Sequence, residues 1–174
     1  MVLFRRARPA DARWNLAKTA VQVAVFWGVI LFVIPPWIVA ASARLGIPVF
    51  EFAAARFVAV GLFIVASMLG IASAITMAVQ GQGTPLPIDS PRRMVVTGPY
   101  AWVRNPMAMA GLAQGTAVAI WHGSVAVLVY VIVGGVIWQV VVRPLEEADL
   151  LRVFGDEFAR YRETVPLWWP RRRD

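Results

Sequence analysis

The stretch VVTGPYAWVRNPMAMAG, residues 95–111, is a turn-rich and cationic segment between two long apolar blocks. Gly98-Pro99 is typical of a turn, because glycine supplies backbone freedom and proline fixes one torsion. Arg104-Asn105-Pro106 places a fixed charge and an amide just before a helix start, with proline at or near the first helical position. The segment therefore predicts a binding place for an anion or a polar ligand at the edge of an apolar core.

The composition places this segment in a membrane protein. The chain has 174 residues, of which 59% are hydrophobic, and a mean hydropathy of +0.65, well above a soluble globular protein. The length suits one domain, residues 1–174. The absence of cysteine excludes disulfides, thiolate metal sites and a cysteine nucleophile, and the single histidine, His122, excludes a multi-histidine metal centre. We therefore expect no metal site.

Three charge-free blocks, residues 19–43, 57–88 and 105–142, predict the membrane spans. The third holds 38 residues, enough for two spans of about 20 residues each. Its natural break is the sequence Trp121-His122-Gly123-Ser124. We expect four spans at about 16–36, 56–79, 106–121 and 124–142, the last two forming a tight hairpin in which Gly111, Gly115, Gly134 and Gly135 allow close helix approach.

Prolines leave two helix ends to be decided. Pro35-Pro36 either ends the first span near Ile34 or kinks a helix that continues, and the cost of proline inside a helix favours the first alternative. The second helix should run to about Val79, because Gly81, Gly83, Pro85 and Pro87 follow it.

The distribution of basic residues predicts the orientation. With both termini inside, five basic residues precede the first span, three lie between the second and third, and seven follow the fourth, whereas only Arg44 and Arg56 lie outside. This bias indicates cytoplasmic termini in an inner, plasma membrane. The net charge of +7 is explained by basic residues on the cytoplasmic side and their attraction to anionic lipid headgroups, so no nucleic-acid partner is expected.

The segment after the fourth span predicts a C-terminal amphipathic helix from Pro144 to about Glu163 on the cytoplasmic surface. Leu150, Phe154, Phe158 and Tyr161 recur at helical spacing in this segment. Gly155 indicates close packing or a break inside the helix. Trp168, Trp169 and the terminal arginines have the composition of an interfacial anchor.

Glu146-Glu147 follows the fourth span at the same predicted membrane face as Arg104. One interpretation is structural, since acids in a first helical turn interact favourably with the positive end of the helix dipole. The other is functional, because a ligand that carries both a cationic group and a carboxylate would use the acids and the arginine together.

The combination of GPYAWVRNPM with a downstream Glu-Glu pair and LLRVFGDEFARYRETVP resembles the isoprenylcysteine carboxyl methyltransferase family and its relatives among the membrane phospholipid methyltransferases. The resemblance covers about residues 80–170, which would form the cofactor-binding part. It implies a membrane enzyme that takes S-adenosylmethionine from the cytoplasm, releases S-adenosylhomocysteine, and methylates a lipophilic acceptor from the bilayer. That acceptor would be a prenylcysteine-like carboxylate, a lipid headgroup amine or a small hydrophobic molecule.

The resemblance also implies roles for individual residues. The cofactor-binding residues would be Gly98, Pro99, Tyr100, Arg104, Asn105, Pro106, Glu146 and Glu147. Arg104, Glu147 and Arg143 would take part in catalysis, with Arg143 near an arginine that faces the acceptor. An acceptor that must lose a proton would need a base, for which Glu147 and Tyr100 are the candidates.

Two positions depart from the family pattern, since Asn105 replaces its usual histidine and Ala108 its usual tyrosine. They support an alternative from another class, a non-catalytic scaffold or lipid-binding protein with the same fold. The paired Glu146-Glu147 and Arg104 favour the enzyme, because a scaffold has no evident need for opposed charges at one membrane face. Gln139, within the fourth span, either bonds another helix or lines the acceptor path. The sequence leaves the oligomeric state, the acceptor and its reacting atom undecided.

Overall fold

The computed structural model describes residues 12–82 and 91–169, which form helices and no β-strand apart from one isolated bridge between Val49 and Ser124. Part of the second loop, with Gly83, Pro85 and Pro87, and the terminal arginines lie outside these residues. The α-helices are α1 (Ala12–Gly28), α2 (Ile34–Arg44), α3 (Ala55–Thr76), α4 (Pro106–His122), α5 (Val125–Ile137), α6 (Arg143–Phe154) and α7 (Asp156–Thr164). π-Helical turns follow α1, α3 and α5, at Val29–Val33, Met77–Gly81 and Trp138–Val142.

Within the part of the chain that the structure describes, three continuous helical runs are long and apolar enough to cross a membrane: Arg13–Arg44, Ala55–Gly81 and Val125–Phe154. Large apolar side chains point outward from the last two, with Phe57 83% exposed and Val140 66% exposed. Such surfaces are unfavourable in water and are covered by lipid in an integral membrane protein. The second run ends within two residues of its predicted end at Val79.

The first helix does not end near Ile34, so the favoured prediction for Pro35-Pro36 is wrong. The helix continues to Arg44, and the π-helical turn Val29–Val33 stands directly before the prolines. There the Ile34 N–H donates to the Val29 carbonyl, five residues back. In a regular α-helix, a proline ring clashes with the carbonyl group four residues before it. The wider π-helical turn changes the backbone spacing at that point, so the helix continues through the prolines.

The same arrangement recurs where the fourth predicted span ends. The π-helical turn Trp138–Val142 precedes Arg143-Pro144, and the Arg143 N–H donates to the Trp138 carbonyl. The helical region predicted from Pro144 follows without a gap, because α6 continues the run that starts at Val125. The expected break at Gly155 is present, where φ is +52° and α7 begins at the next residue.

The hairpin between α4 and α5 turns at the predicted residues. Gly123 adopts φ +59°, and a side-chain carbon there would lie 2.4 Å from the Phe50 carbonyl oxygen. Ser124 caps α5 by accepting a hydrogen bond from the Val127 N–H at 3.3 Å. Glycine and serine therefore meet the two local requirements of this turn, a positive φ and a side-chain cap.

Three of the four predicted contact glycines lie at close helix approaches. A side-chain carbon added at Gly111 would lie 1.9 Å from the Trp27 ring, at Gly115 2.8 Å from Val131, and at Gly135 3.1 Å from Leu112. Gly134 has nothing within 4 Å of that position. Gly111 thus lets α1 lie against α4 through the indole of Trp27.

Gly111→Ala should destabilise the protein by about 1–3 kcal/mol, because its methyl group would force the Trp27 ring out of place. Gly134→Ala is the matched control, since the same methyl group meets open space and alanine favours the helix by about 1 kcal/mol. Melting temperatures in detergent should fall for the first variant and stay level or rise for the second. Equal melting temperatures for the two variants would contradict the assigned contact.

Candidate functional site

Residues 91–105 form a loop that is fixed to the end of the second helical run. The N–H groups of Arg92 and Arg93 donate to the Gly81 carbonyl at 2.8 and 3.2 Å. Gly98 adopts φ +57° with its missing side-chain position 3.1 Å from the Thr76 hydroxyl oxygen, so glycine is required there for both conformation and space. These contacts hold the Gly-Pro turn against the membrane-facing helix.

The C-terminal segment holds the same loop from the other side. The Tyr161 hydroxyl donates to the Tyr100 carbonyl at 2.7 Å, and the Arg104 N–H donates to the Pro166 carbonyl at 3.0 Å. Phe158, Tyr161 and Val165 form a buried cluster against Met94. The loop therefore lies between the end of the second helical run and α7, which fixes the position from which Arg104 extends.

Arg104, Glu147 and Arg143 form one ion-pair group. Arg104 Nη1 lies 2.7 Å from Glu147 Oε1, and Arg143 Nη1 lies 3.2 Å from Glu147 Oε2. The side chains of Arg104 and Glu147 are only 14% and 15% exposed, so the pair is shielded from solvent. Both oxygens of Glu147 accept from a guanidinium, which leaves this carboxylate in a holding role and not free to act as a base.

Glu146 differs from its neighbour, since it has no hydrogen bond or ion pair within residues 12–82 and 91–169. It lines a cavity of about 500 Å³, a volume within the usual range of about 300–1,000 Å³ for small-molecule pockets. A carboxylate that faces a cavity without a cationic partner is available to a positively charged or hydroxylated ligand.

The two tyrosines of the site are held in their neutral form. Burial raises the pKa of Tyr100, and the nearby Tyr161 and Glu146 raise it further. Burial also raises the pKa of Tyr161, against a smaller lowering by Arg104. A phenol with a raised pKa keeps its proton near neutral pH, so Tyr100 is not suited to the role of base that the sequence left open.

The cavity collects six of the nine residues that the sequence singled out. Gly98, Pro99 and Arg143 do not line it; the first two shape the turn and Arg143 reaches Glu147 from outside. The six that line it are Tyr100, Arg104, Asn105, Pro106, Glu146 and Glu147.

The sequence missed the contribution of the first helix. The cavity is also lined by four residues of α1: Gln22, Val23, Phe26 and Trp27. A signal for this role exists in the sequence, because Asn15, Thr19 and Gln22 follow each other at helical spacing across the start of the first apolar block. Gln139, in contrast, leaves its Oε1 atom buried without a hydrogen bond and lines a separate shallow groove with Trp168, so the expected bond to another helix is not formed.

The cavity residues fit a ligand with the chemistry of S-adenosylmethionine. Arg104 has a buried Nε atom without a partner, so part of its guanidinium remains free although Nη1 binds Glu147. That free part can take a carboxylate, and the free Glu146 can take an ammonium group or ribose hydroxyls. The walls are mainly apolar and aromatic, which suits a purine ring.

These features define a class of protein: a helical integral membrane protein with a charged ligand cavity beside its membrane-crossing helices. The phospholipid methyltransferase family model matches residues 54–157, more than half of the chain. The chain belongs to this family, within the isoprenylcysteine carboxyl methyltransferase-like group of membrane methyltransferases, and the resemblance found in the sequence is confirmed. No curated protein and no solved structure gives a significant match.

Family membership supports a methyltransferase in the membrane. The matched range contains Arg104, Glu146 and Glu147 but leaves out the first helical run. The role of α1 is therefore inferred only from its position at the cavity, and not from the family match.

Tyr161→Phe should lower the melting temperature, because it leaves the Tyr100 carbonyl without its donor at a cost of about 1–3 kcal/mol. Tyr130→Phe is the matched control, since its hydroxyl lies 3.4 Å from the Ile30 carbonyl and forms a weak bond at most. Thermal unfolding in detergent measures both variants. If Tyr130→Phe lowered the melting temperature as much as Tyr161→Phe, the importance assigned to the hydrogen bond between Tyr161 and the Tyr100 carbonyl would be contradicted.

Proposed function

We propose that the protein is an S-adenosylmethionine-dependent methyltransferase that modifies a lipophilic acceptor drawn from the bilayer. The observation that carries this proposal is the free Glu146 carboxylate beside the half-occupied Arg104 guanidinium in a cavity with apolar walls. An amino acid moiety has one ammonium and one carboxylate group, and this pair of side chains complements both.

In this proposal Arg104 binds the cofactor's carboxylate through its free guanidinium edge, and Glu146 binds its ammonium group or ribose hydroxyls. Glu147 positions Arg104, and Arg143 in turn positions Glu147, so these two residues act through their neighbours. Asn105, Tyr100 and Pro106 supply the adjoining wall, with an amide in place of the titratable histidine of the family. The cofactor supplies a sulfonium-bound methyl group for in-line displacement.

The chain's own contribution to the rate is alignment and exclusion of water. The buried cluster of Phe158, Tyr161 and Val165 lies behind the loop that carries Arg104. Apolar walls lower the dielectric around the reacting atoms, and a fixed Arg104 orients the ligand, so little acid or base help is needed for an acceptor that is already anionic. With Glu147 held by two arginines, Tyr100 protonated and Glu146 assigned to the cofactor, the proposal favours an acceptor that is already anionic.

The proposal includes a topology of four spans, with α4 as the third. This helix has 17 residues, near the lower limit of about 17 for a transmembrane helix. In this topology the protein lies in the inner membrane with both termini in the cytoplasm. The C-terminal helical region, formed by α6 and α7, lies at the cytoplasmic face. The run Val125–Phe154 has 30 residues and would measure about 45 Å, so α6 extends beyond a hydrocarbon layer of about 30 Å.

Calorimetric titration of the purified protein in nanodiscs with S-adenosylhomocysteine tests the cofactor site. Wild type should bind saturably, and Glu146→Gln and Arg104→Ala should each weaken binding by about 10- to 100-fold, since a charge-assisted hydrogen bond is worth about 1.5–3 kcal/mol. Glu157→Gln makes the same chemical change at an exposed position of α7 and should bind as wild type does.

A well-folded wild-type sample that shows no binding would reject the enzyme and favour the non-catalytic scaffold that Asn105 and Ala108 support.

The absence of native cysteine makes the topology testable with single cysteines. A membrane-impermeant maleimide should label Glu51→Cys in intact cells, and should label Arg162→Cys only after the membrane is disrupted. Both positions are exposed in the structure, so labelling reports the side of the membrane. The reverse pattern would place the termini outside and contradict the proposed orientation.

A further inference from the structure

We infer that Gln22 on the first helix binds the polar head of the methyl acceptor, which makes it a specificity-determining residue that lies outside the family match. The inference rests on the proposed function, because it assigns the acceptor a place in the same cavity. It concerns the part of the cavity wall that α1 supplies, to which the sequence gave no role.

The first observation is an unsatisfied amide. Gln22 lines the cavity, and its Oε1 atom is buried without a hydrogen-bond partner. It lies four residues after Lys18, about 6 Å further along the axis of a helix that is long and apolar enough to cross a membrane. A buried polar group costs stability unless something satisfies it, and because Gln22 lines the cavity, its amide can turn toward a bound ligand.

A second observation comes from the same helix face. Asn15 and Thr19 precede Gln22 at helical spacing, are 1% and 4% exposed, and also have side-chain atoms without partners. The face of α1 that turns into the protein is thus polar and unpaired over about two turns, and only its last member, Gln22, reaches the cavity. A face built only for packing against other helices would be apolar or internally bonded.

The distribution of chemistry around the cavity decides which ligand Gln22 serves. The charged groups come from the loop and α6, and they complement the cofactor. The wall of α1 instead combines one neutral amide with Phe26 and Trp27, and Trp138 of the run Val125–Phe154 also lines the cavity. This combination fits an amphiphile whose polar head bonds to the amide and whose apolar chain lies along the aromatic rings.

The protein also contains a paired glutamine that serves as a matched control. Gln114 of α4 donates through Nε2 to the Ser67 hydroxyl of α3 at 2.9 Å, so its amide has a structural partner. Replacing it by leucine removes a bond between two helices. Replacing Gln22 by leucine removes no bond present in the structure and relieves an unsatisfied buried group.

The experiment compares Gln22→Leu and Gln114→Leu with wild type in detergent. Without ligand, Gln22→Leu should melt at the wild-type temperature or a few degrees higher, whereas Gln114→Leu should melt lower. S-adenosylhomocysteine should bind Gln22→Leu within about twofold of its wild-type affinity. Three amphiphiles serve as acceptor probes in the presence of S-adenosylhomocysteine: phosphatidylethanolamine, N-acetyl-S-farnesylcysteine and farnesylamine.

At least one probe should stabilise the wild type against heat, and Gln22→Leu should weaken that probe's apparent affinity by about tenfold. Where the bound probe is also methylated, KM should rise while kcat changes less, because the proposal assigns Gln22 to the acceptor and not to the cofactor. Equal probe affinity in wild type and Gln22→Leu would overturn the inference, as would a lower melting temperature of Gln22→Leu without ligand or no probe binding to wild type.

The two proposals fail separately in this design. Loss of S-adenosylhomocysteine binding in wild type would reject the proposed cofactor, whereas a Gln22-dependent amphiphile site would still be measured by heat stability. Normal S-adenosylhomocysteine binding with probe affinity unaffected by Gln22→Leu would keep the enzyme and reject this role for Gln22.

Discussion

The site depends on one shielded carboxylate shared by two guanidiniums. Glu147 accepts from Arg104 with one oxygen and from Arg143 with the other. A partly buried carboxylate is stable only with compensating partners, so this group joins the loop that carries Arg104 to the helix that carries Glu147. Removing either arginine would loosen both elements, and the adjacent Glu146 is left free because its neighbour takes the available cations.

The π-helical turn before Arg143 determines which side chains share the cavity. Trp138 and Glu146 both line it although they are eight residues apart. In an unbroken α-helix at about 100° per residue, this separation would turn them about 80° apart. A π-helical turn takes up one extra residue, which reduces the difference to about 20°. The aromatic wall in the membrane and the acid beyond it thus face the same space.

These helical details explain what the sequence could and could not predict. The hairpin at Gly123-Ser124 and the break at Gly155 follow from local backbone chemistry, and both were predicted. The sequence does not predict that the helices continue past Pro35-Pro36 and Pro144. This continuation depends on π-helical turns formed by residues with no distinctive local signal, such as Val29–Val33. Of the site, the sequence could identify residues whose type carries chemistry, such as Arg104 and Glu146. It could not show that α1 reaches the cavity, since that contact is tertiary.

The two walls of the cavity place different demands on stability. The charged wall is satisfied only in part from within the protein, because Glu147 is paired twice whereas Arg104 Nε has no partner. The wall of α1 combines an unpaired amide oxygen with the aromatic rings of Phe26 and Trp27. Proteins retain such a cost where a ligand offsets it, because a site that were satisfied without its ligand would have to break bonds in order to bind. A charged wall and a mainly aromatic wall with one unpaired amide therefore suit two different ligands, a small zwitterion from water and an amphiphile from lipid.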